Sequence, residues 1–105
     1  MSDDAPQAGT GVPAGAISKE LLIINKRGLH ARASAKFVQA VERFDAQVWV
    51  TRGGETVGGT SIMGLMMLAA GPGTTITVAA AGTEAEGALA AITELVESKF
   101  NEEGT

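Results

Sequence analysis

A two-glycine turn at Gly53-Gly54 constrains the fold of this chain more than any other feature of its sequence. In residues 46–52, before the turn, the small and apolar side chains at 46, 48 and 50 alternate with those at 47, 49 and 51, as in a strand with one buried face. Residues 55–57 follow the turn directly. Strands joined by so short a turn must pair antiparallel, because a parallel crossover needs a dozen or more residues. We therefore expect a sheet that is at least partly antiparallel.

Hydrophobic periodicity predicts two further strands and two long helices. The strands are an apolar run and an alternating segment, at residues 20–24 and 74–81. The helices have apolar residues at helical spacing, at residues 31–44 and from Thr83 to about Phe100. The sequence Thr83-Glu84-Ala85-Glu86 has the pattern of a capping box, which predicts where the last helix begins.

The apolar run at residues 61–68 fits either a buried strand or a short helix. Ser61 is a good N-cap residue, Met and Leu favour helix, and Gly71-Pro72-Gly73 stops the run, so we predict a helix. The element order is then β-α-β-β-α-β-α, and the helices can cover only one face of the sheet. The predicted fold class is α+β, an open-faced sandwich with Trp49 on the open face.

The length of 105 residues indicates one domain. Residues 1–16 are small, polar and acidic and are predicted to form a disordered N-terminal tail, followed by a domain over 17–101 and a C-terminal tail over 102–105. The sequence has neither a secretory signal pattern nor an apolar run long enough for a membrane span, so we expect a cytoplasmic protein. With one His and no Cys, we predict no metal site and no cofactor.

The charge of the chain is distributed unevenly around its single histidine, His30. The net charge of −4 argues against nucleic acid as the main partner. Between Glu20 and Glu42, however, there is no acidic residue, and four of the eight basic residues fall there. These are Lys26, Arg27, Arg32 and Lys36. Such a basic patch suits a small anion or an acidic protein partner.

The surroundings of His30 favour transfer of a phosphoryl group through its imidazole. Gly28 allows a close backbone approach or a positive φ just before the histidine. A helix that begins at about Ala31 points its first unpaired amides toward His30, and its dipole together with Arg32 favours a dianion there. No second histidine and no phosphate-binding loop is present, so we predict a carrier that other proteins phosphorylate and dephosphorylate.

Two segments carry a resemblance to a known family. The sequence Gly28-Leu29-His30-Ala31-Arg32-Ala33-Ser34 resembles the active-site signature of HPr, the histidine phosphocarrier family of the bacterial phosphotransferase system. Residues 60–69, TSIMGLMMLA, are similar to that family's second, serine-centred signature. The resemblance covers roughly residues 18–100. It implies a four-stranded antiparallel sheet covered on one face by three helices.

The resemblance also implies roles for individual residues. His30 would accept phosphate on Nδ1 from enzyme I charged by phosphoenolpyruvate and give it to an EIIA-type protein. Arg32 matches the family arginine that contacts the phosphoryl group. Ser61 matches a site of regulatory phosphorylation by HPr kinase/phosphorylase in some bacteria. Two residues depart from the pattern: Ala33 stands where proline is common, and Thr60 stands where a basic residue usually precedes the serine.

The short helix is expected to contribute a docking surface. Six of the seven residues at 62–68 are apolar, and two turns of helix cannot bury every direction. We therefore expect some of Ile62, Met63 and Met66 to remain exposed beside the basic patch that includes Lys36. We expect these residues, with Lys36, to contact partner proteins. A carrier that docks two partners through one face is most simply a monomer.

Three interpretations remain open from the sequence. The first is a phosphocarrier. The second is a regulatory binding module whose phosphorylation state controls partner proteins rather than sugar transport. The third is an unrelated α+β ligand-binding domain with an incidental histidine. Within the family, the sequence does not distinguish the sugar-transport branch from the nitrogen-related branch.

Overall fold

The Gly53-Gly54 turn forms as predicted in the computed structural model, which describes residues 12–102. Both glycines have positive φ, 60° and 85°, as a two-residue hairpin turn requires. The strands on either side pair antiparallel, with Arg52 opposite Glu55. A turn of this kind matches the right-handed twist of the strands. The second strand of the hairpin lies at one edge of the sheet.

The elements follow the predicted order. They are β1 Ile17–Leu22, α1 Ala31–Glu42, β2 Gln47–Arg52, β3 Glu55–Gly58, α2 Ile62–Met67, β4 Thr75–Ala81 and α3 Ala85–Glu97, with a short turn of 3₁₀ type at Lys99–Asn101. The four strands lie in the order β1-β4-β2-β3, and every neighbouring pair is antiparallel. The predicted α+β fold, an antiparallel four-stranded sheet with three helices, is confirmed.

The core lies between one face of the sheet and the helices. Alternate residues of the strands point into it, as the period of two requires. Among the fully buried side chains are Val50, Ile76 and Val78 from the sheet and Phe37 and Ile92 from the helices. Trp49 points to the other face, opposite Ala79 on the neighbouring strand, and is half-buried there, as predicted.

Strand β1 differs from its predicted range. It begins at Ile17 and ends at Leu22, whereas the apolar run predicted a strand over 20–24. The pairing with β4 extends the strand, because Ile17 lies opposite Ala80 and Leu22 lies opposite Thr75. Most of β1 is exposed at the edge of the sheet, so its first residues show no apolar pattern.

Helix α3 differs from the prediction at both ends. The capping-box prediction is wrong, because the helix begins at Ala85 and its N-cap residue is Glu84, which makes no side-chain cap. Glu84 instead exchanges hydrogen bonds with Asp45: its carboxylate accepts from the Asp45 amide (2.6 Å), and its own amide donates to the Asp45 carbonyl (2.9 Å). The helix ends at Glu97, and Phe100 reaches the core from the turn that follows.

The predicted tails lie largely outside the described residues. Of the N-terminal tail over 1–16, residues 12–16 are described, and Ala16 donates a backbone hydrogen bond to Pro13 (3.1 Å). Of the C-terminal tail over 102–105, Glu102 is described. Across residues 12–102, no helix has the length and apolar character needed to cross a bilayer.

Candidate functional site

His30 is itself the N-cap residue of α1. Its backbone is extended, with φ −73° and ψ −179°, and its Nδ1 accepts a hydrogen bond from the backbone amide of Arg32 (3.2 Å). The His30 carbonyl accepts from the amide of Ser34 (2.8 Å), which is the first bond of the helix ladder. The imidazole therefore occupies the place at a helix start where anions also bind, and its Nδ1 faces the first amides.

The Arg32 contact identifies which ring nitrogen is unprotonated. A backbone amide can only donate, so Nδ1 is the acceptor in this hydrogen bond. In the neutral ring the proton must then be on Nε2. Nδ1 is the nitrogen with a lone pair directed at the helix start, which is the state that a nucleophile requires.

Gly28 is required by the geometry of the loop before His30. Its φ is +65°, and a Cβ at this position would lie 2.3 Å from the carbonyl oxygen of Ala70. The adjacent amide of Leu29 donates to the same carbonyl (3.0 Å). Any side chain at Gly28 would therefore displace the loop that holds the histidine against the segment between α2 and β4.

The other side of the ring contacts residues that are distant in sequence. The carboxylate of Glu102 contacts Nε2 of His30 in a short hydrogen bond, and only 18% of the His30 side chain and 11% of the Glu102 side chain are exposed. Asn25, which is fully buried, donates from Nδ2 to Glu102 (3.3 Å) and to the carbonyl of Gly28 (2.8 Å). Asn25 thus connects the loop before α1 to the Glu102 carboxylate, which in turn contacts the imidazole of His30.

The environment of Glu102 favours its ionised form. Burial on its own raises the pKa of Glu102, but hydrogen bonds from His30 and Asn25 and the charges of His30 and Lys36 outweigh it, so the pKa lies below the ordinary 4.5. A carboxyl whose pKa is lowered by folding stabilises the fold above its unfolded pKa. This contribution is lost as the pH falls from about 4.5 through the folded value.

The two predicted basic residues of the site are placed differently. The side chain of Arg32 is exposed, and among residues 12–102 it makes no hydrogen bond or ion pair, so the guanidinium can reach an anion at the helix start. Lys36 is half-buried, and its Nζ donates to the carbonyl of Phe100 (2.6 Å). Lys36 therefore attaches the C-terminal segment to α1, a structural contact that the sequence did not predict.

The second predicted site lies at the start of α2, which packs against α1. Ser61 is the N-cap residue, as predicted; it is exposed, and its hydroxyl accepts from the amide of Gly64 (2.9 Å). No hydrogen bond in residues 12–102 joins Ser61 to His30, Asn25 or Glu102. The expected exposure of the short helix is confirmed for Ile62 (40%), Met63 (70%) and Met66 (41%). Met67, at 69%, is exposed as well and was not predicted.

Sequence reasoning missed Glu102 and Asn25. Glu102 is 72 positions from His30 and lies in the predicted C-terminal tail, so no local pattern connects the two residues. Asn25 lies between the predicted strand over 20–24 and the predicted helix over 31–44, where the sequence shows no regular pattern. A weak signal was available for Asn25, because a polar side chain directly after an apolar strand often hydrogen-bonds the backbone of the turn that follows.

The fold and the site together define a small open-faced α+β domain that presents one imidazole at a helix start. Comparison with known proteins identifies the family. A family model described as the phosphorylation site of the HPr component of the phosphotransferase system matches residues 17–98. The chain belongs to the HPr family, the phosphocarriers of the phosphotransferase system.

Individual relatives agree with this assignment. The chain is 48% identical over 86 residues to phosphocarrier protein HPr of Neisseria meningitidis, covering 82% of this chain and 97% of that protein. It is 41% identical to phosphocarrier protein NPr of Shewanella violacea, covering 82% and 94%. A crystal structure of HPr from Thermoanaerobacter tengcongensis superposes with a TM-score of 0.79 at 41% identity, covering 83% and 98%.

Family membership resolves one of the open interpretations. An unrelated ligand-binding domain with an incidental histidine is wrong, because the match covers almost the whole described domain and includes the His30 segment. The family is one of phosphocarriers, as the resemblance implied. The interpretations as a carrier and as a regulatory module both remain compatible with the family.

Proposed function

We propose that His30 accepts a phosphoryl group from enzyme I charged by phosphoenolpyruvate and passes it to an EIIA-type protein. The observation that carries this proposal is the hydrogen bond from the Arg32 amide to Nδ1, which identifies Nδ1 as the unprotonated, nucleophilic ring nitrogen and places its lone pair at the helix start. In the first step, Nδ1 bonds to phosphorus while the bond between phosphorus and the enzyme I atom that carries it breaks. In the second step, an atom of the EIIA-type protein bonds to phosphorus and the bond from Nδ1 to phosphorus breaks.

The helix start can stabilise the group once it has been transferred. When Nδ1 bonds to phosphorus, the Arg32 amide that it accepted from becomes available to a phosphoryl oxygen. The first amides of α1 have no carbonyl partner within the helix, and the positive end of the dipole favours a dianion. The exposed Arg32 guanidinium supplies further charged donors. Ala33 adds an amide that proline would not have.

The setting of this function follows from the same considerations. Neither a metal nor a cofactor is needed, because the partners bring both the phosphoryl group and the catalytic groups. We propose that the protein works as a cytoplasmic monomer, with proteins rather than nucleic acid as its partners. The direct test is incubation with enzyme I and labelled phosphoenolpyruvate. The protein should acquire acid-labile, base-stable label and lose it to an EIIA-type protein, and an unlabelled wild type would contradict the proposal.

We propose Ser61 as a second, regulatory phosphorylation site. Its hydroxyl is exposed and caps a helix, so a phosphate there would lie close to free amides at the N-terminus of α2. The modification adds about two negative charges beside the exposed methionines of the same helix. It would therefore weaken docking to an acidic donor. The alternative function of this protein is to regulate partner proteins through the phosphorylation state of Ser61.

A kinase assay tests the Ser61 assignment. With ATP and HPr kinase/phosphorylase, the wild-type protein should acquire acid-stable label, and Ser61→Ala should acquire none. Thr60→Ala is the matched control, because Thr60 is the neighbouring exposed hydroxyl and should leave the labelling unchanged. Acid-stable label on Ser61→Ala would show that the modified residue lies elsewhere.

We propose that the exposed apolar side chains of α2 contact the partners. Met63 is the most exposed of them, and Met63→Glu should slow phosphoryl exchange with enzyme I about tenfold, since losing an interface contact costs on the order of 1–2 kcal/mol. The rate is measured by rapid quench of labelled protein. The control is Leu22→Glu, which makes the same charge change at a 53% exposed Leu on β1. Equal exchange rates in the two variants would remove Met63 from the interface.

A further inference from the structure

The C-terminal segment after α3 is held at the imidazole by three hydrogen bonds and by the burial of Phe100. Phe100 is fully buried in the core, and its carbonyl accepts from Lys36 Nζ (2.6 Å). Two residues later, the Glu102 carboxylate contacts Nε2 of His30 and accepts from the buried amide of Asn25 (3.3 Å). The end of the described chain is thus held to α1, to the loop before it and to the core.

The backbone of this segment adopts a conformation that L-residues avoid. Lys99, Phe100 and Asn101 have φ of 59°, 57° and 57°, three successive left-handed residues without a glycine among them. Such strain persists only where the surrounding structure fixes it, and it often marks a functional site. Here the left-handed turn follows α3, and Glu102, the residue directly after it, contacts the ring.

The contacts of the two ring nitrogens are complementary. Because the Arg32 amide donates to Nδ1, the proton of the neutral ring is on Nε2, and that proton points at the Glu102 carboxylate. A carboxylate on one imidazole nitrogen fixes the tautomer, leaves the other nitrogen free to react and stabilises an imidazolium, as in hydrolase triads. The His30–Glu102 pair has this arrangement, with Nδ1 as the reacting atom.

We propose that Glu102 is a positioning residue for phosphoryl transfer at His30, holding the proton on Nε2 and balancing the charge that develops on the ring. This inference rests on the proposed function. When Nδ1 bonds to phosphorus and the donor bond breaks, the proton stays on Nε2 and the ring becomes positively charged. The carboxylate already contacts this proton, so it stabilises the cation without rearrangement. The reverse step returns the ring to its neutral form.

Two substitutions separate the position of the proton from the charge. Glu102→Ala removes both the acceptor and the charge, and it should slow acceptance from phosphorylated enzyme I about tenfold, the effect expected of one charge-assisted hydrogen bond. Glu102→Gln retains an amide oxygen that can accept from Nε2 but has no charge, so its rate should lie between those of Glu102→Ala and wild type. Glu97→Gln is the control, because it removes a negative charge from an exposed residue of α3.

Ring NMR of histidine-labelled, unphosphorylated protein supplies a readout that a merely structural role would not change. At a pH where the ring is neutral, wild type and Glu102→Gln should show a protected Nε2–H proton. Glu102→Ala should lose that signal to exchange with water, while its thermal unfolding shows that the fold persists. An Nε2–H signal as protected in Glu102→Ala as in wild type would overturn the proposal, and so would Glu102 variants that react as fast as Glu97→Gln.

The two proposals fail in different ways. If wild-type protein takes no label from enzyme I, the proposed function fails, while the ring NMR still decides whether Glu102 holds the Nε2 proton. If wild type takes label and both Glu102 variants take it as fast as wild type does, the phosphocarrier proposal stands. The positioning role of Glu102 is then overturned.

Discussion

His30→Ala is expected to accept no phosphoryl label from enzyme I, whereas the wild-type protein is labelled to completion. The chain has no other histidine and no cysteine, so no second side chain of either type can form the acid-labile adduct. The loss should be complete within the detection limit of a filter or gel assay. Because the imidazole also caps α1 through its Nδ1, the variant should lose about 1 kcal/mol of folding stability and remain folded.

His30→Asn is the matched variant for this result. Asn is among the preferred N-cap residues, so it can keep a side-chain cap at the start of α1 while removing the reactive ring. Its thermal unfolding should resemble that of wild type, and its labelling should resemble that of His30→Ala. Acid-labile, base-stable label on His30→Asn would place the phosphoryl group on another residue and contradict the proposed site.

Arg32→Ala is expected to slow phosphoryl transfer about a hundredfold, the usual cost of removing one charged or oriented donor from a site where negative charge develops. The Arg32 side chain is exposed and makes no hydrogen bond or ion pair in residues 12–102, so the fold should be as stable as wild type. Quenched-flow measurement of acceptance from enzyme I and donation to an EIIA-type protein gives both rates.

Two further variants make the Arg32 result specific. Arg32→Lys retains a positive charge but not the planar pair of donors, so it should recover only part of the rate. Arg43→Ala removes the same charge at the exposed C-cap end of α1, away from His30, and should transfer at close to the wild-type rate. If Arg32→Ala and Arg43→Ala react equally fast, Arg32 does not contact the phosphoryl group and only the general basic character of the helix matters.

Features that depend on a few neighbouring residues could be predicted from the sequence. The Gly53-Gly54 pair fixed the hairpin, because both residues need positive φ. Ser61 and the glycine-proline stop were enough to choose helix over strand for an apolar run that periodicity left ambiguous. The helix start after His30 was placed at Ala31, where the structure has it. Each of these features rests on backbone conformations or caps that the adjacent residues determine.

The failed predictions concern competition between local and distant contacts. Thr83 and Glu86 have the pattern of a capping box, but Glu84 became the N-cap residue because Asp45, on another loop, bonds to it. Phe100 has helical spacing after Val96, yet it reaches the core from a left-handed turn. In both cases the local preference is worth about 1 kcal/mol, which one or two tertiary contacts can exceed.

The sequence by itself determined the order of the elements, the antiparallel hairpin and the position of a lone histidine between a glycine and a helix, since periodicity, turns and caps act over a few residues. Only the tertiary structure decided what surrounds the imidazole. Three features join residues that are far apart in the chain. They are the strand order β1-β4-β2-β3, the hydrogen bond from Lys36 to the Phe100 carbonyl and the contact of Glu102 with Nε2 of His30. Such contacts depend on the packing of the whole domain, because the left-handed turn before Glu102 is anchored by Phe100, which is buried in the core.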